Sequence, residues 1–313
     1  MSFQDVIGHG AIKKQIISSI SLGKFSHAHI LSGEDGIGKS VLANEIALKL
    51  LGKTEKRQYT DIVNIKVSKN KKSIGIDEIK NVIKEVNIKP YEGDKKVIII
   101  YNADSITVEA QNAFLKTIEE PPKGIFIIML CENLENILET IKSRCQIYKL
   151  NHLNENEMEH FLINNYPNLD KDSLNIISIA SDYIPGRAQK FIEDDTFNNV
   201  RNISMEVLKS IVKGKYNLLE YTDELMKYKE LWKEILTWFL SYIRDILIYK
   251  DTTSIDLIIN MDKLDDIKYI SEQTSIKKLN NIIEIIKDTS VKLESNVNTA
   301  LVFDSMLLKM QEV

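Results

Sequence analysis

Residues 32–40 read SGEDGIGKS, which matches the phosphate-loop pattern GxxxxGK[S/T] at every fixed position and adds a third glycine, Gly36. A backbone that wraps a phosphate must approach the anion closely and adopt dihedral angles that a Cβ atom forbids, so glycines are needed there. A short β-like run precedes the loop at residues 27–31, and a helical pattern follows it at residues 41–51. This strand–loop–helix order is the context that a nucleotide-binding loop requires.

The residue types of the loop suit the binding of ATP or ADP. The amides of Gly36, Gly38 and Lys39 are expected to point at the phosphates, and the Lys39 ammonium to reach the terminal ones as a point charge. The Ser40 hydroxyl is expected to hold Mg²⁺ at the start of the following helix. The predicted cofactor-binding residues of the loop are Gly33, Gly36, Ile37, Gly38, Lys39 and Ser40.

Composition is that of an ordinary globular protein, with 313 residues that favour two or three domains, 43% of them apolar and 27% charged. No apolar run approaches the length of a membrane span, and residues 1–5 lack the features of a signal peptide. We therefore expect a cytoplasmic protein without membrane contact. Two cysteines are too few for a disulfide framework or a four-cysteine zinc site, and the five histidines show no ligand spacing, so we predict no zinc or other structural metal.

Charge is distributed unevenly along the chain. Residues 1–150 carry 22 Lys and Arg against 18 Asp and Glu, whereas residues 151–313 carry 19 against 27. A polyanion is therefore expected to face the N-terminal part. The densest basic stretch is residues 66–72, whose charge fits a DNA-facing loop and a solvated loop equally well.

Strands alternate with helices up to about residue 150. The β-branched run at residues 96–101 and the apolar run at residues 125–130 are typical of strands buried on both faces of a parallel sheet. Residues 61–67 and 146–150 indicate two further strands. Residues 1–150 are thus predicted to form an α/β domain, a parallel sheet flanked by helices, with the ligand loop at the carboxyl end of a strand.

The pattern becomes wholly helical after Leu150. A small helical lid is predicted over residues 151–200, from short helical patterns at residues 154–166, 172–180 and 186–193. The 127 residues after Gly186 contain one glycine and no proline, and apolar residues recur there at helical spacing. Residues 201–313 are therefore predicted to form an all-α C-terminal bundle, which we interpret as a collar for oligomerisation.

Four further stretches resemble the AAA+ modules of clamp-loader subunits. Residues 6–8 read VIG, where such modules hold the base of the nucleotide, which implies a base contact by Ile7. Residues 112–122 read NAFLKTIEEPP and resemble the family's NALLKxLEEPP run; residues 140–145 read TIKSRC and resemble its TIxSRC motif. Residues 185–188 read PGRA, and the resemblance implies Arg187 as the lid's sensor arginine. Motifs carry the resemblance over about residues 1–200, and architecture alone carries it beyond.

The resemblance is incomplete at the catalytic acids. Active ATPases of this kind have Asp-Glu directly after the buried strand, where the aspartate supports Mg²⁺ and the glutamate polarises the attacking water. Tyr101 and Asn102 occupy these positions, and neither can act as a base at neutral pH. Asp104 lies three residues past the first position, which is expected to carry it beyond the metal. The polar sensor position falls near Cys131. The mixture is similar to the non-hydrolysing stator subunits of bacterial clamp loaders and implies no independent catalysis.

The SRC motif adds a candidate catalytic residue. The resemblance implies that Arg144 acts in trans on the ATP of a neighbouring subunit, whereas alone it would be interpreted as a surface arginine at a sheet edge. The EEPP run is interpreted as a helix terminator rather than a catalytic acid pair, and Lys116 is expected to face either DNA or the next subunit. Many family members also carry a four-cysteine zinc module after the P-loop helix; this chain departs from them, with no cysteine before Cys131.

The resemblance implies a subunit of the DNA polymerase III clamp loader, which helps to load the sliding clamp onto primed DNA during replication. Its implied partners are the delta and gamma/tau subunits in a pentamer, the sliding clamp, and primer-template DNA through the complex. The alternative is an ATP-hydrolysing motor subunit of the same loader, which would need an acid at Tyr101 or Asn102. An unrelated P-loop kinase is a third interpretation, for which a small-molecule pocket would be required and the SRC motif would be unexplained.

Overall fold

The computed structural model of the chain describes residues 3, 6–55, 57–66, 73–214, 218–295 and 297–313. The basic stretch at residues 66–72 therefore lies outside the described residues except for Lys66. The predicted strand at residues 61–67 is likewise described only as far as Lys66.

One five-stranded parallel sheet forms the N-terminal part of the chain. Its strands are β1 (Ala28–Ser32), β2 (Ile62–Ile65), β3 (Lys96–Ile100), β4 (Ile125–Cys131) and β5 (Gln146–Lys149). Their order across the sheet is β2-β3-β4-β1-β5, with every neighbouring pair parallel. Every residue of β1 and β3 is buried, whereas edge strand β2 is half-exposed. The uninterrupted apolar runs in the sequence reflect burial on both faces, and the α/β prediction is confirmed.

Helices cover both faces of this sheet. The first six helices along the chain are α1 (Gly10–Ser21), α2 (Lys39–Leu50), α3 (Ile76–Val86), α4 (Val108–Glu119), α5 (Glu139–Lys142) and α6 (Glu155–Asn165). Residues that alternate along the strands pack on one face with α3 and α4, and on the other face with α1 and α2. Helix α4 ends at Glu119, just before Pro121 and Pro122, which confirms the predicted terminator.

The sequence predicts that Val108, Phe114, Leu115 and Ile118 form one apolar stripe of α4, and one of these residues lies outside the core. Val108 is 55% exposed, whereas Phe114 and Ile118 are fully buried. Val108 is the first residue of the helix, and the buried face begins only at Ala110. Helical spacing alone does not show where along a helix the contact with the sheet begins.

The chain divides into two compact units, residues 1–161 with 184–186, and residues 162–183 with 187–313. The remaining helices are α7 (Lys171–Ala180), α8 (Pro185–Glu193), α9 (Asp195–Lys213), α10 (Leu218–Met226), α11 (Trp232–Thr252), α12 (Leu264–Gln273), α13 (Ile276–Glu294) and α14 (Thr299–Glu312). Within the second unit, α11 packs against α9, α12 and α13. The C-terminal helical region is therefore confirmed, while the three-part division at residues 150 and 200 stays a prediction; α9 runs without interruption across its second boundary.

None of the helices in the described part of the chain combines the length and the apolarity needed to cross a membrane.

Candidate nucleotide-binding site

The glycine-rich loop runs from the end of β1 into α2, and its backbone explains two of its glycines. Gly33 has φ of 154° and Gly38 has φ of 103°, both in the region that L-residues rarely adopt. At Gly33 a Cβ atom would lie 2.7 Å from the carbonyl oxygen of Leu150. A side chain at either position would therefore distort the loop.

Lys39 lies across this loop. Its ammonium donates hydrogen bonds to the carbonyl oxygens of Gly33, at 2.5 Å, and Glu34, at 2.8 Å. Burial lowers the pKa of Lys39 from its ordinary value, and the carboxylates of Glu132, Asp35 and Asp104 oppose that shift. Because charge-assisted hydrogen bonds are the stronger kind, a phosphate oxygen that replaced these neutral carbonyls would strengthen the interaction of the ammonium.

The start of α2 offers further donors to an anion. Gly38 is the N-cap of α2, no described side chain caps the helix, and its first turn contains no acidic residue. Uncapped amides and the positive end of the helix dipole attract negative charge. Ser40 lies in this first turn, half-buried, and its carbonyl oxygen accepts a hydrogen bond from Asn44. These residues fit the phosphates of a nucleotide, with Ser40 in the position from which a hydroxyl would reach Mg²⁺.

The structure brings the segment at residues 6–8 against this loop. Val6 is buried in the same apolar cluster as Ile37 of the loop and Ile184. Lys13 donates a hydrogen bond to the Val6 carbonyl oxygen at 2.7 Å, and Ile7 is half-buried between Val6 and Gly8. The predicted base contact of Ile7 is compatible with this location and stays a prediction. The Ile37 side chain faces the core, so only its backbone can serve a nucleotide.

Tyr101 and Asn102, at the positions of the catalytic acids, both make structural contacts. The Tyr101 hydroxyl hydrogen-bonds with the side chain of Asn44, and burial raises the pKa of this phenol. Asn102 has φ of 51°, and its carbonyl oxygen accepts hydrogen bonds from the amide and the hydroxyl of Ser105, at 2.9 and 2.7 Å. Both side chains are neutral, so neither position supplies a base for water or a charged ligand for Mg²⁺.

Asp104 is engaged by backbone donors. One of its carboxylate oxygens accepts hydrogen bonds from the amides of Glu132, at 3.1 Å, and Asn133, at 3.0 Å. These amides follow the end of β4, so Asp104 fastens the turn after β3 to the turn after the neighbouring strand. The expectation that Asp104 lies too far along the chain to replace the missing aspartate stays a prediction.

Glu132 was missed by the reasoning from sequence. Of the charged groups that oppose the lowering of the Lys39 pKa, its carboxylate contributes most, yet its position directly after β4 was its only signal. The sequence predicts the sensor position near the preceding residue, Cys131. Burial raises the pKa of the Cys131 thiol to about 12, so it stays neutral. The polar group at this strand end is therefore an acid one residue later.

Arg144 lies at the amino ends of the strands, whereas the glycine-rich loop lies at their carboxyl ends. It precedes β5, whose first residue, Gln146, pairs with His29 of β1, whereas the loop follows the last residue of β1. Its guanidinium is exposed but not isolated, since it donates to the Thr140 carbonyl oxygen at 2.9 Å and to the Glu119 carboxylate at 3.2 Å. Sequence reasoning expected the exposure and missed the partner, 25 residues away along the chain.

The segment that carries the predicted sensor arginine begins at the loop. Gly186 donates a hydrogen bond to the carbonyl oxygen of Gly36 at 2.9 Å, and a Cβ atom on Gly186 would lie 2.6 Å from the Gly36 Cα. Arg187 follows on α8, half-buried, as part of the second unit. Its role toward a nucleotide stays a prediction.

Two family models match the chain in succession. One described as "DNA polymerase III, delta subunit" matches residues 8–154, and one described as "DNA polymerase III, delta subunit, C terminal" matches residues 196–312.

The relatives are DNA polymerase III subunits. The gamma subunit of Buchnera aphidicola subsp. Schizaphis graminum is 35% identical over 59% of this chain and 55% of that protein. The tau subunit of Bacillus subtilis is 24% identical over 98% of this chain and 61% of that protein. The delta' subunit of Bacillus subtilis is 24% identical over 96% of this chain and 95% of that protein. The chain thus spans 55% of this gamma subunit and 61% of this tau subunit.

Among solved structures, the RuvB Holliday junction branch migration motor of Thermotoga maritima is similar in fold, with a TM-score of 0.50 and 16% identity over 86% of this chain and 88% of that one. This likeness and the five-stranded sheet place the first unit in the AAA+ fold class. The two family models and the replication relatives agree with that fold. The chain belongs to the clamp-loader family of DNA polymerase III subunits.

Proposed function

We propose that this chain is a delta-prime-type subunit, a non-hydrolysing stator that helps the DNA polymerase III clamp loader to place the sliding clamp on primed DNA. The observation that carries this proposal is the contrast within one candidate site. The phosphate loop keeps Lys39, Ser40 and the uncapped start of α2, whereas Tyr101 and Asn102 replace the acids that turnover requires. Such a site binds a nucleotide without hydrolysing it.

The chemistry of the bound group explains why the acids matter. Mg²⁺-ATP supplies a transferable phosphoryl group whose hydrolysis needs a held metal and an oriented water. In this chain Lys39, the α2 amides and Ser40 would bind and orient the phosphates. Tyr101 makes its hydrogen bond to Asn44 instead of holding a metal, and the Asn102 amide cannot take a proton from water. Binding without transition-state stabilisation gives no rate acceleration.

Arg144 supplies the proposed contribution of this subunit to catalysis. Because it lies at the amino ends of the strands, away from its own phosphate loop at their carboxyl ends, the ATP it acts on would belong to a neighbouring subunit. A planar, permanently charged guanidinium suits the developing charge on a γ-phosphate better than an ammonium does. Arginine fingers contribute on the order of a thousandfold or more in rate at a single site.

A rebuilt loader tests this role. Complexes of the motor subunits of the same organism with the Arg144→Ala chain should lose part of the DNA- and clamp-stimulated ATPase, because other sites keep their own arginines. Clamp loading, which needs the sites in concert, should fall further, and Arg144→Lys should recover little. Arg57→Ala, which removes an exposed arginine elsewhere in the first unit, is the matched control. Wild-type rates with Arg144→Ala would show that the SRC motif is structural here.

An ATP-hydrolysing motor subunit is the second candidate function, favoured by the gamma and tau relatives. The two candidates differ in steady-state turnover by the isolated chain. A motor should hydrolyse ATP at about one per second, as expected for this class of reaction, and should stop with Lys39→Ala. The stator should show nucleotide binding and no turnover.

The remaining proposals concern assembly and DNA. The second unit is proposed to pack against equivalent parts of the delta and gamma/tau subunits in a pentamer. Its exposed apolar side chains include Leu301 and Leu308, one face of α14 at seven-residue spacing. Leu301→Lys with Leu308→Lys should leave the fold intact and reduce co-elution with the partner subunits. Lys116, exposed on α4, is proposed to face DNA or the next subunit.

A further inference from the structure

Arg144 forms an ion pair with Glu119, the first residue of the EEPP run at residues 119–122. The proposed function assigns no role to this run beyond ending α4. The Arg144 Nη2 atom lies 3.2 Å from the Glu119 Oε1 atom, while Nη1 donates to the Thr140 carbonyl oxygen at 2.9 Å. Glu119 therefore binds the Nη2 atom of the guanidinium, while the Thr140 carbonyl oxygen binds the Nη1 atom. Both groups are partly exposed, with 36% of the Arg144 side chain and 53% of the Glu119 side chain accessible.

Glu119 lies at a position where its negative charge destabilises its own helix, α4. Glu119 is the last residue of α4 and Glu120 is the C-cap, so two acids lie at the negative end of the helix dipole. Pro121 and Pro122 prevent the helix from continuing and keep both acids at this end. Helix stability alone would favour a lysine or an amide at Glu119, whereas the positive charge of Arg144 compensates a carboxylate there.

The Glu119 carboxylate accepts a hydrogen bond from the Arg144 guanidinium, as a phosphate would. Carboxylate and phosphate oxygens are alternative acceptors for the same planar fork of N–H donors. While Glu119 is in contact, the pair presents no net charge to an approaching polyphosphate. A neighbour's γ-phosphate therefore has to displace Glu119 before it receives the full charge of Arg144.

We propose that Glu119 is a positioning residue that holds Arg144 at the end of α4 and competes with the γ-phosphate of a neighbouring subunit for its guanidinium. The inference rests on the proposed trans role of Arg144. Glu119 thus weakens engagement with an ATP-loaded neighbour and keeps the contact reversible. Its effect is small, because an exposed ion pair changes an equilibrium by about two- to fivefold at most.

The test measures binding of the full-length chain to the motor subunits of the same organism, loaded either with ATPγS or with ADP. Glu119→Gln, which keeps the size and removes the charge, should tighten binding to the ATPγS-loaded subunits by about two- to fivefold. Binding to the ADP-loaded subunits should not change, because ADP lacks the γ-phosphate. The matched control is Glu120→Gln, the same substitution at the adjacent exposed acid, which should leave both affinities at wild-type values.

A double substitution separates this competition from a structural effect. In the Arg144→Ala background, Glu119→Gln should no longer alter the affinity for ATPγS-loaded subunits, since the competing groups no longer share a guanidinium. A tightening that persists without Arg144 would overturn the proposal.

The remaining outcomes distinguish the competition by Glu119 from the trans role of Arg144. If Arg144→Ala weakens ATPγS-dependent binding while Glu119→Gln matches Glu120→Gln, or weakens binding as well, the competition is refuted and the trans role stands. If Arg144→Ala leaves ATPγS-dependent binding unchanged, the trans role fails and the role of Glu119 fails with it.

Discussion

The carboxyl ends of β1 and β3 lie at the same end of the parallel sheet, separated only by β4. The residues that follow these two strand ends nevertheless make different contacts. After β1, the chain forms a loop with Lys39 folded over its carbonyl oxygens and leaves the start of α2 open to an anion. After β3, Tyr101 and Asn102 make internal hydrogen bonds, and Asp104 holds the turn after β4. In the function we propose, phosphate binding and phosphoryl transfer depend on separate strand ends, so one can persist without the other.

The largest expected effect concerns the strand that carries the loop. His29 of β1 is buried and stacks on Phe25 with ring centroids 3.8 Å apart. Burial lowers the pKa of His29 from 6.5 to about 4. Between these values the unfolded chain binds a proton that the folded chain excludes, so the free energy of unfolding should fall by about 3 kcal/mol as the pH drops from 6.5 to 4.

His29→Phe tests this dependence, since a phenyl ring keeps the stacking and does not titrate. Native-state hydrogen exchange of the β1 amides, corrected for intrinsic rates, should show acid destabilisation in the wild type and much less in the variant. The variant also loses the 2.8 Å contact from His29 to the Ser26 carbonyl oxygen, which lowers its stability at every pH. The acid destabilisation of each protein is therefore measured relative to its own stability near neutral pH. The same pH dependence in both proteins would rule out His29 as the source.

The next effect distinguishes the two strand ends directly. Lys39→Ala should weaken ADP binding by about ten- to a hundredfold, because hydrogen bonds to charged groups contribute about 1.5–3 kcal/mol. Titration with a fluorescent ADP analogue measures the loss, and Lys49→Ala, in the last turn of the same helix, is the control. Equal ADP affinity of the Lys39→Ala and Lys49→Ala proteins would show that Lys39 of the phosphate loop does not contribute to ADP binding.

Asp104 gives a smaller effect, on stability rather than binding. Asp104→Ala leaves the amides of Glu132 and Asn133 without their acceptor and should lower the free energy of unfolding by about 1–2 kcal/mol. Urea denaturation measures this change, and Asp104→Asn, which retains an acceptor oxygen, should lose less. The dependence of ADP affinity on Mg²⁺ should be unchanged. Its disappearance would identify Asp104 as a metal ligand and restore part of the missing machinery at the end of β3.

Tyr101→Phe should have the smallest effect. The substitution removes the hydrogen bond to Asn44 and should lower the free energy of unfolding by about 0.5–1 kcal/mol. ADP affinity should stay within about twofold of the wild type, which corresponds to about 0.4 kcal/mol. A large loss of affinity would mean that the end of β3 takes part in phosphate binding after all.

Local signals were sufficient for the elements and for the phosphate loop. The glycines, Lys39 and Ser40 lie within one short segment, and the prolines after Glu119 end α4 wherever that helix packs. Burial on both faces makes β1, β3 and β4 continuous apolar runs, which are legible without knowledge of their neighbours.

The sequence by itself determined that this chain has a loop of the phosphate-loop pattern, lacks the usual acid pair and carries an arginine before β5. Only the tertiary structure decided that Glu132 acts on Lys39, that Asp104 binds the turn after β4, and that Glu119 pairs with Arg144. These partners are 25 or more residues apart along the chain, and the order of the strands brings them together. Glycine conformations and apolar runs depend on a residue and its near neighbours, whereas the partner of a charged side chain depends on which strand ends and loops the folded sheet places beside it.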